Sequence, residues 1–427
     1  MPTLTLWRIH RAVLFFCMFF IPPALLQAQG MVGSGFAVAQ EYTFGGDVAD
    51  IANVISPTID GGYLLAGYTK SLGAGGEDIW LVKIHKDGAM LWEKTIGGKK
   101  NDAVTAVLPL PDGNFILAGY TCSKGAGRSD VWILKIDANG TPLWESNFGG
   151  ADADAANAIT ATSDGGFAVA GYYFKEKKSE PLAATNANEL PLSLKKTDVR
   201  SQVMWLLKFS REGILQWNKV LDELGENSNA PAVCETGNGD LVVAGNAITT
   251  NASSEVLVAK VDREGKLIWS KTYGTPNWDA VNSIVSVGKD AVVIGGGSFQ
   301  SKSNSDSWLF KINGSGEVAW EKKFGSDENE AIKKITVNQD ESITAVSNIT
   351  SPNQQPDLWM LTQFNHKGDI VNNTLVGSNR LQQVRNMITT PNGNGVLLVG
   401  ISSALKKCYQ RGDRNTWLFM LDKIKGK

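Results

Sequence analysis

A tryptophan that returns at near-constant spacing is the feature that most limits what this chain can fold into. It stands at Trp80, Trp132, Trp205, Trp308, Trp359 and Trp417, and Leu257 fills the corresponding place between the third and fourth of them. The successive spacings are 52, 73, 52, 51, 51 and 58 residues. Self-similarity at a period of this length is typical of repeat architectures. The sequence therefore predicts seven repeat units, with a long insertion in the third and a shorter one in the seventh.

Twelve residues after this recurring position, five of the units carry a second tryptophan, at Trp92, Trp144, Trp217, Trp269 and Trp320. The two series together hold eleven of the 13 tryptophans, so we expect these side chains to pack in the core and between units rather than bind a ligand. Glycine, at 45 of 427 residues, is also above its usual share and predicts many tight turns.

Each unit contains four short apolar or alternating runs, which are typical of β-strands. In the first unit we predict strand a at 50–57, b at 63–69, c at 78–84 and d at 90–96. Asp60-Gly61-Gly62 between strands a and b predicts a tight hairpin, because glycine accepts the positive φ that such turns require. Four antiparallel strands in a unit of this size are the blade of a β-propeller.

The two ends of the repeat region predict how the last blade is completed. The seventh unit provides strands a, b and c, the last of them ending at Leu421, and no fourth strand follows. Residues 41–46, Glu-Tyr-Thr-Phe-Gly-Gly, match the fourth-strand pattern of residues 93–98. We therefore predict an all-β, seven-bladed propeller over residues 41–427, closed by an N-terminal strand that completes the last blade and hides edge strands.

The N-terminal segment, residues 1–28, has the pattern of a secretory signal peptide. Arg8 and Arg11 precede an apolar run over 12–26, and Ala28 is a suitable cleavage position. An uncleaved membrane anchor is the alternative, against which the Pro22-Pro23 pair and the short apolar run argue. We expect residues 29–40 to be a linker and the mature chain to be a monomer without a transmembrane segment, secreted, periplasmic or on the cell surface.

The repeat motif itself resembles known proteins. The stretch Asp-Gly-Gly-Tyr-Leu-Leu-Ala-Gly-Tyr-Thr at 60–69, followed by Asp-Ile-Trp-Leu-Val-Lys at 78–83, resembles the propeller repeats of many secreted bacterial proteins. Residues 135–144 are also similar to the repeats of quinoprotein dehydrogenases and of an outer-membrane assembly lipoprotein. The resemblance covers roughly 41–422 and implies the propeller fold, a fold that hosts many functions.

The b–c and d–a connections vary in length and should emerge on the same face of a propeller. The third b–c connection, about 173–202, and the seventh, about 402–416, are long and basic. Long loops on a rigid scaffold often bind partners, although a solvated insertion is the simpler alternative. The candidate binding residues are Lys175, Lys177, Lys178, Lys195, Lys196, Lys406, Lys407, Tyr409 and Arg411.

Acidic residues recur where strand a begins in five units, at Asp50, Asp102, Asp154, Asp279 and Glu330. Because strand a is innermost in a propeller, they could form an acidic collar at the mouth of the channel. Such a collar could bind a basic partner or a hard cation such as calcium. The alternative is a structural clamp in which each carboxylate accepts hydrogen bonds from turn residues, and recurrence in nearly every unit favours this alternative.

Residues suited to catalysis are scarce. After removal of the signal peptide the remaining histidines are His85 and His366, and both lie in predicted c–d turns on the opposite face. Cys122, Cys234 and Cys408 contain no zinc or redox pair, although a bridge between the first and the last is possible. The formal charge of -2 does not show the excess of basic residues that is typical of nucleic-acid-binding proteins.

We therefore expect a secreted, non-catalytic propeller that binds a protein or a glycan through its variable face, with no bound cofactor. One alternative is a quinoprotein-like or other propeller enzyme, an oxidoreductase or a carbohydrate-active enzyme with paired carboxylates at the channel mouth. Another is a scaffold for cell-envelope assembly.

Overall fold

The computed structural model describes residues 36–46, 48–176, 200–224, 228–248, 254–301, 304–338, 340–350, 358–377, 381–390, 393, 395–403 and 414–423. These residues form 28 β-strands and one short 3-10 turn, Asp222–Leu224. Within these ranges no helix has the length and apolar character needed to cross a membrane. The predicted signal peptide, residues 1–28, lies outside the described residues.

The first strand, β1, spans Phe36–Phe44, and the strands that follow occur in fours. The first group holds β2 (Asp50–Pro57), β3 (Tyr63–Thr69), β4 (Asp78–Ile84) and β5 (Met90–Ile96). The second holds β6 (Asp102–Pro109), β7 (Phe115–Thr121), β8 (Asp130–Ile136) and β9 (Pro142–Phe148). The third holds β10 (Ala155–Ala161), β11 (Phe167–Glu176), β12 (Arg200–Phe209) and β13 (Leu215–Val220).

The second half of the chain repeats this arrangement. The fourth group holds β14 (Ser228–Glu235), β15 (Leu241–Ile248), β16 (Ser254–Val261) and β17 (Leu267–Tyr273). The fifth holds β18 (Asp279–Val287), β19 (Ala291–Ser301), β20 (Asn304–Ile312) and β21 (Val318–Phe324). The sixth holds β22 (Asn329–Val337), β23 (Ile343–Thr350), β24 (Leu358–Phe364) and β25 (Ile370–Gly377), and the last holds β26 (Leu381–Thr389), β27 (Gly395–Ser403) and β28 (Arg414–Lys423).

Within each group the strands pair with their sequence neighbours in antiparallel order. The four strands predicted in the first unit have the observed bounds. In the last group the fourth place is taken by β1, which pairs antiparallel with β28 from Phe36↔Lys423 to Phe44↔Thr416. The predicted pairing of an N-terminal strand with the last group is therefore observed. The prediction of a linker over 29–40 is wrong for residues 36–40, which lie in β1.

The burial pattern shows where the core lies. The second and third strands are buried on both sides, as in β3 and β4, whereas the fourth strand β5 is mostly half-buried or exposed. A strand covered on both faces has a nearly continuous apolar sequence, and Tyr63–Thr69 and Asp78–Ile84 have sequences of this kind. The six recurring tryptophans of the third strands are all buried.

The core is built between groups rather than inside them. One cluster joins Leu64 and Leu81 of the first group to Leu117, Trp132 and Leu134 of the second. Another joins residues of the first group to β27 and β28 of the last. Because each group has two apolar faces and covers one neighbour with each, no group buries its own core alone. The first strands of successive groups also contact one another in sequence, and β26 contacts β2. We call these seven strands the inner strands.

The outer strands are joined by aromatic rings that lie on glycine turns. Gly213 in the turn between β12 and β13 has φ +82, and a Cβ built there would lie 2.3 Å from the ring of Trp144 in the preceding group. Gly88 stands in the same relation to Tyr42 of β1. The Tyr42 hydroxyl also donates a hydrogen bond to the Asp87 carbonyl. The last group is therefore joined to the first by the same kind of contact that joins the others.

Candidate functional site

Two sets of positions on the inner part of the structure stand out once the groups are compared. The first set lies near the end of each second strand, just before the b–c connection, and we call its members the rim positions. The rim positions are Tyr68, Tyr120, Tyr172, Asn246, Gly297, Asn348 and Ile401. In the antiparallel ladder each of them pairs with a residue of the inner strand, and that residue lies two positions before an irregularity of the inner strand, a β-bulge, which is described below.

Three consecutive groups carry a half-buried tyrosine at the rim. Tyr68 packs against Ile401, the rim residue of the last group, so neighbouring rim positions lie close together. The Tyr120 hydroxyl lies 3.2 Å from a carboxylate oxygen of Glu77 and donates a hydrogen bond to it. Burial, and then the negative charge of Glu77, raise the pKa of Tyr120. The three half-buried tyrosines Tyr68, Tyr120 and Tyr172 stand at equivalent positions of consecutive groups, and we call them the tyrosine patch.

Cys122 lies within this patch. It has a free thiol and is half-buried, and burial followed by the charge of Asp102 raises the pKa of this thiol. Burial also raises the pKa of Tyr172, with smaller effects from Asp154 and Cys122. A thiol whose pKa is raised is mostly protonated at neutral pH and is a weak nucleophile. The raised pKa gives no sign of an activated thiol at Cys122.

The second set of positions lies on the inner strands themselves. The register of every inner strand shifts at one place, where an extra residue forms a β-bulge. The seven bulge residues are Asn53, Thr105, Asn157, Pro231, Asn282, Lys333 and Arg385. Bulges re-aim a side chain and are common beside functional sites. A proline at one of them is consistent with the missing ladder bond.

Three of the bulge residues join their strand to the next inner strand. The Asn53 amide donates a 2.8 Å hydrogen bond to the Val104 carbonyl. Thr105 donates at 2.8 Å to the Ala156 carbonyl, and Asn282 donates at 2.7 Å to the Ile332 carbonyl. Each acceptor is the residue immediately before the next bulge. At these places the bulge has a structural purpose, which is to connect successive inner strands.

The predicted acidic collar is buried rather than open. Asp50, Asp102, Asp154, Asp279 and Glu330 are each at most 1% exposed. Asp102 accepts hydrogen bonds from the Gly98 backbone at 2.8 Å, from the Ser123 hydroxyl at 2.7 Å and from the Thr121 hydroxyl. Asp50 makes the same set of bonds with Gly46, Ser71 and Thr69. This geometry is that of a clamp that fixes the d–a and b–c connections of one group. In the described residues no group of three or more candidate ligands is placed to hold a metal ion.

Glu330, like Asp279, differs from the clamps at Asp50 and Asp102. One of its oxygens accepts bonds from Ser326, but the other has no hydrogen-bond partner although it is buried. The reason lies in the ladder, where Glu330 pairs with Ile349, whereas Asp50 and Asp102 pair with a threonine. The threonine hydroxyl that serves those two clamps is therefore missing at Glu330. Burial raises the pKa of Glu330 despite the bonds from Ser326.

This difference predicts opposite effects of removing the charge at the two clamps. Glu330→Gln should raise the free energy of unfolding at pH 7 by about 1 kcal/mol, because it removes a buried and half-bonded charge. A raised folded pKa means that the ionised form costs stability above that pKa, so the gain should vanish as the pH falls below the ordinary value of 4.5.

Asp102→Asn is the matched control for that comparison. It replaces one of the two bonded carboxylate oxygens by an NH₂ group that faces hydrogen-bond donors, and it should lower stability by about 1–3 kcal/mol. Urea unfolding of both variants between pH 4 and 8, followed by circular dichroism, measures the difference. A Glu330→Gln variant that loses stability at every pH would contradict the assignment of the orphaned oxygen.

The basic residues predicted from the long loops are described only in part. Lys175 lies in β11, is exposed, and forms an ion pair with Asp222. The predicted insertion 173–202 is shorter than expected, because β11 extends to Glu176 and β12 begins at Arg200. The other candidates, Lys177, Lys178, Lys195, Lys196, Lys406, Lys407, Tyr409 and Arg411, lie outside the described residues, and so does Cys408.

The two histidines lie where the sequence placed them, in the turns between the third and fourth strands. His85 precedes β5 and lies 2.8 Å from Asp87, and both side chains are exposed. His366 lies between β24 and β25. Neither belongs to the rim or to the inner strands.

Comparison with known proteins bears on the fold. No protein-family profile matches the chain, and no curated protein matches it in sequence. A solved structure of BBS1N in complex with ARL6DN is similar over 93% of this chain and 99% of that one, with a TM-score of 0.50 and 11% identity. The chain has a β-propeller fold. A DUF4221 family member from Bacteroides vulgatus (9% identity, 91% and 98% covered, TM-score 0.39) and an apocarotenoid oxygenase mutant from Synechocystis (10% identity, 75% and 71% covered, TM-score 0.42) are more distant.

In a propeller the first strand of each blade lies nearest the axis. The bulge positions of this propeller therefore lie on the strands nearest its axis, the rim positions lie on the second strands beside them, and our sequence reasoning did not select either set. A signal was present for the bulges of the first four groups, since each is a polar residue or a proline within an apolar run at the repeat spacing, as in Ile-Ala-Asn53-Val-Ile. The signal is visible only after the units are aligned on the inner strand instead of on the tryptophan.

Proposed function

We propose that this protein is a secreted, non-catalytic, seven-bladed propeller, closed by β1, that binds a protein or glycan ligand on the face holding the b–c and d–a connections. The observation that carries the proposal is the patch of three half-buried tyrosines, Tyr68, Tyr120 and Tyr172, on consecutive blades at that face. Tyrosine combines a large apolar surface with a polar tip and is common in binding surfaces for this reason.

The position of the patch supports binding rather than packing alone. The other rim positions hold small, amide or aliphatic residues, and the amides of Asn246 and Asn348 bond to the next blade. A purely structural rim would need no aromatic group in three successive blades. The exposed Trp278, at 52%, lies just before β18 in a d–a connection on the same face and extends the aromatic character of that surface.

A glycan array tests this proposal directly. The wild-type chain should bind a restricted set of glycans, and the double variant Tyr120→Ala, Tyr172→Ala should bind them at least about tenfold more weakly, since two aromatic contacts are removed. The control is Tyr42→Ala, which removes an equally half-buried tyrosine from β1 on the outer edge. A loss of binding that came only from reduced stability would be shared by the control.

The array also separates the two ligand classes. Binding that is unchanged in the double variant would exclude the tyrosine patch as the glycan site. If no glycan binds, chemical cross-linking of the wild type and of the double variant to extracellular proteins of the source cells tests the protein branch. A calcium-dependent quinone signal in absorbance would instead support an oxidoreductase.

A further inference from the structure

The junction between the fifth and sixth blades brings two carboxylates to the same place. Asp306 lies near the start of β20, and Glu330 is the clamp residue of β22. A Cβ built on Gly325, which lies between β21 and β22, would be 2.7 Å from Oδ1 of Asp306 and 3.0 Å from Oε2 of Glu330. Both oxygens therefore lie beside the same glycine, where no side chain stands between them.

The first junction contains a similar pair, but there the clamp oxygen is bonded. A Cβ built on Gly97 would lie close to Oδ1 of Asp78 and 3.1 Å from Oδ2 of Asp102. That oxygen of Asp102 accepts a 2.8 Å hydrogen bond from the Gly98 backbone. The corresponding oxygen of Glu330 accepts no hydrogen bond, although the residue is 1% exposed. The oxygen without a partner is thus the one that faces the second carboxylate.

The charges around Glu330 add to the cost of burying it. Burial is the main cause that raises the pKa of Glu330, and the negative charges of Asp306 and Glu328 raise it further. Hydrogen bonds from Ser326 to the other oxygen act in the opposite direction without cancelling these effects. A buried carboxylate close to like charges is stable only when a cation or a proton joins it.

Asp279 also has a buried oxygen without a partner, but the donor that it lacks stands opposite. Ser298 pairs with Asp279 in the ladder, at the place that a threonine occupies in the first two clamps. The Ser298 hydroxyl has no partner either, so rotation about its Cα–Cβ bond can supply the hydrogen bond. Opposite Glu330 stands Ile349, whose side chain has no donor. Only Glu330 of these two clamps therefore needs a group from outside the chain.

Two amide oxygens near the carboxylates are also without a donor. Oδ1 of Asn304 and Oδ1 of Asn329 are buried and accept no hydrogen bond. Asn329 precedes Glu330, and Asn304 lies two residues before Asp306 and hence on the same face of β20. The parallel bridge Ser305↔Asn329 joins these two segments. The place where β20 and β22 meet is therefore rich in oxygen acceptors that lack donors, and such oxygens suit a hard cation.

We propose that Asp306 and Glu330 bind a calcium ion between the fifth and sixth blades. Calcium takes about six to eight oxygen ligands in flexible geometry, from carboxylates, amides, backbone carbonyls and water. The described residues offer no group of three acidic, histidine or cysteine ligands, so amide oxygens and water complete the shell around the two carboxylates. The site lies apart from the tyrosine patch of the first three blades and does not depend on the proposed function.

Thermal unfolding of the full chain in calcium chloride and in EDTA tests the site, with potassium chloride matching the ionic strength. Calcium should raise the melting temperature of wild type by at least about 1 °C, because an ion that binds only the folded state stabilises it. Glu330→Gln and Asp306→Asn should lose this response, and isothermal titration with calcium should show at least about tenfold weaker binding for each. In EDTA Glu330→Gln should be more stable than wild type, and calcium should reduce that difference.

Asp78→Asn is the matched control, because it removes the corresponding carboxylate at the first junction, where the facing oxygen of Asp102 is already bonded. It should keep the calcium response even where its melting temperature is lower. The proposal is overturned if calcium gives wild type neither a shift nor a heat, if Glu330→Gln responds as wild type does, or if Asp78→Asn also loses the response. A stability difference between wild type and Glu330→Gln that changes with pH but not with calcium would show that the two carboxylates share a proton instead.

Discussion

Replacing Trp132 by alanine will lower the free energy of unfolding by about 3–5 kcal/mol. The side chain is 1% exposed and lies in a cluster shared by the first two blades, beside Leu81 and Leu117. Its indole N–H also donates a hydrogen bond to Glu145 at 3.2 Å. The substitution removes the largest side chain of that cluster and leaves a cavity between two sheets that cannot close without moving a blade. Urea unfolding followed by circular dichroism measures the loss.

Trp278→Ala is the control for this prediction. Trp278 is 52% exposed and lies outside the repeat series, so its removal should change stability by less than about 0.5 kcal/mol. Equal losses for the two variants would mean that the buried tryptophans do not form the interface between blades. Trp132→Phe should give an intermediate loss, because the ring is retained in part while the N–H donor is removed.

Replacing Gly213 by alanine will lower the free energy of unfolding by about 3 kcal/mol, since two costs act together. The residue has φ +82, where a Cβ costs about 1–2 kcal/mol. The added carbon would also lie 2.3 Å from Cζ2 of Trp144, and relieving that overlap costs about 1–3 kcal/mol more.

Gly61 isolates the second cost. It has the same φ of +82, but a Cβ there would meet nothing within 4 Å. Gly61→Ala should therefore cost only about 1–2 kcal/mol. Thermal or urea unfolding of the two variants side by side gives the difference. If the variants lose the same stability, the contact between Trp144 and the turn of the next blade contributes nothing to the joining of blades.

The architecture was readable from the sequence because one packing task is repeated. Each blade must cover its neighbour, so the buried tryptophan and a turn glycine return in nearly every repeat, and the bounds of β2 to β5 followed from them. The start of β1 was missed because Ala37–Glu41 are exposed and show no apolar alternation. Backbone pairing with β28 holds these residues in place, and such pairing cannot be recognised from the amino-acid composition of the segment.

The candidate sites were harder to foresee for a related reason. The acidic residues at Asp50 and Asp102 recur, and recurrence pointed to a structural role. Among the bulge residues, Lys333 and Arg385 do not recur. A residue that differs from its counterparts in the other blades can be recognised only when the structure shows which positions are equivalent.

The pairing of β1 with β28 has a consequence for biosynthesis. Of the described strands, β1 (Phe36–Phe44) is synthesised before all the others, and its partner β28 (Arg414–Lys423) is synthesised after them. Six groups of strands can associate as they emerge, while β1 must wait with its ladder unsatisfied. Contacts of such wide sequence separation form slowly. β1 thus stays unpaired until β28 has been synthesised, and its exposed side chains, such as Glu41, keep the strand soluble in the meantime.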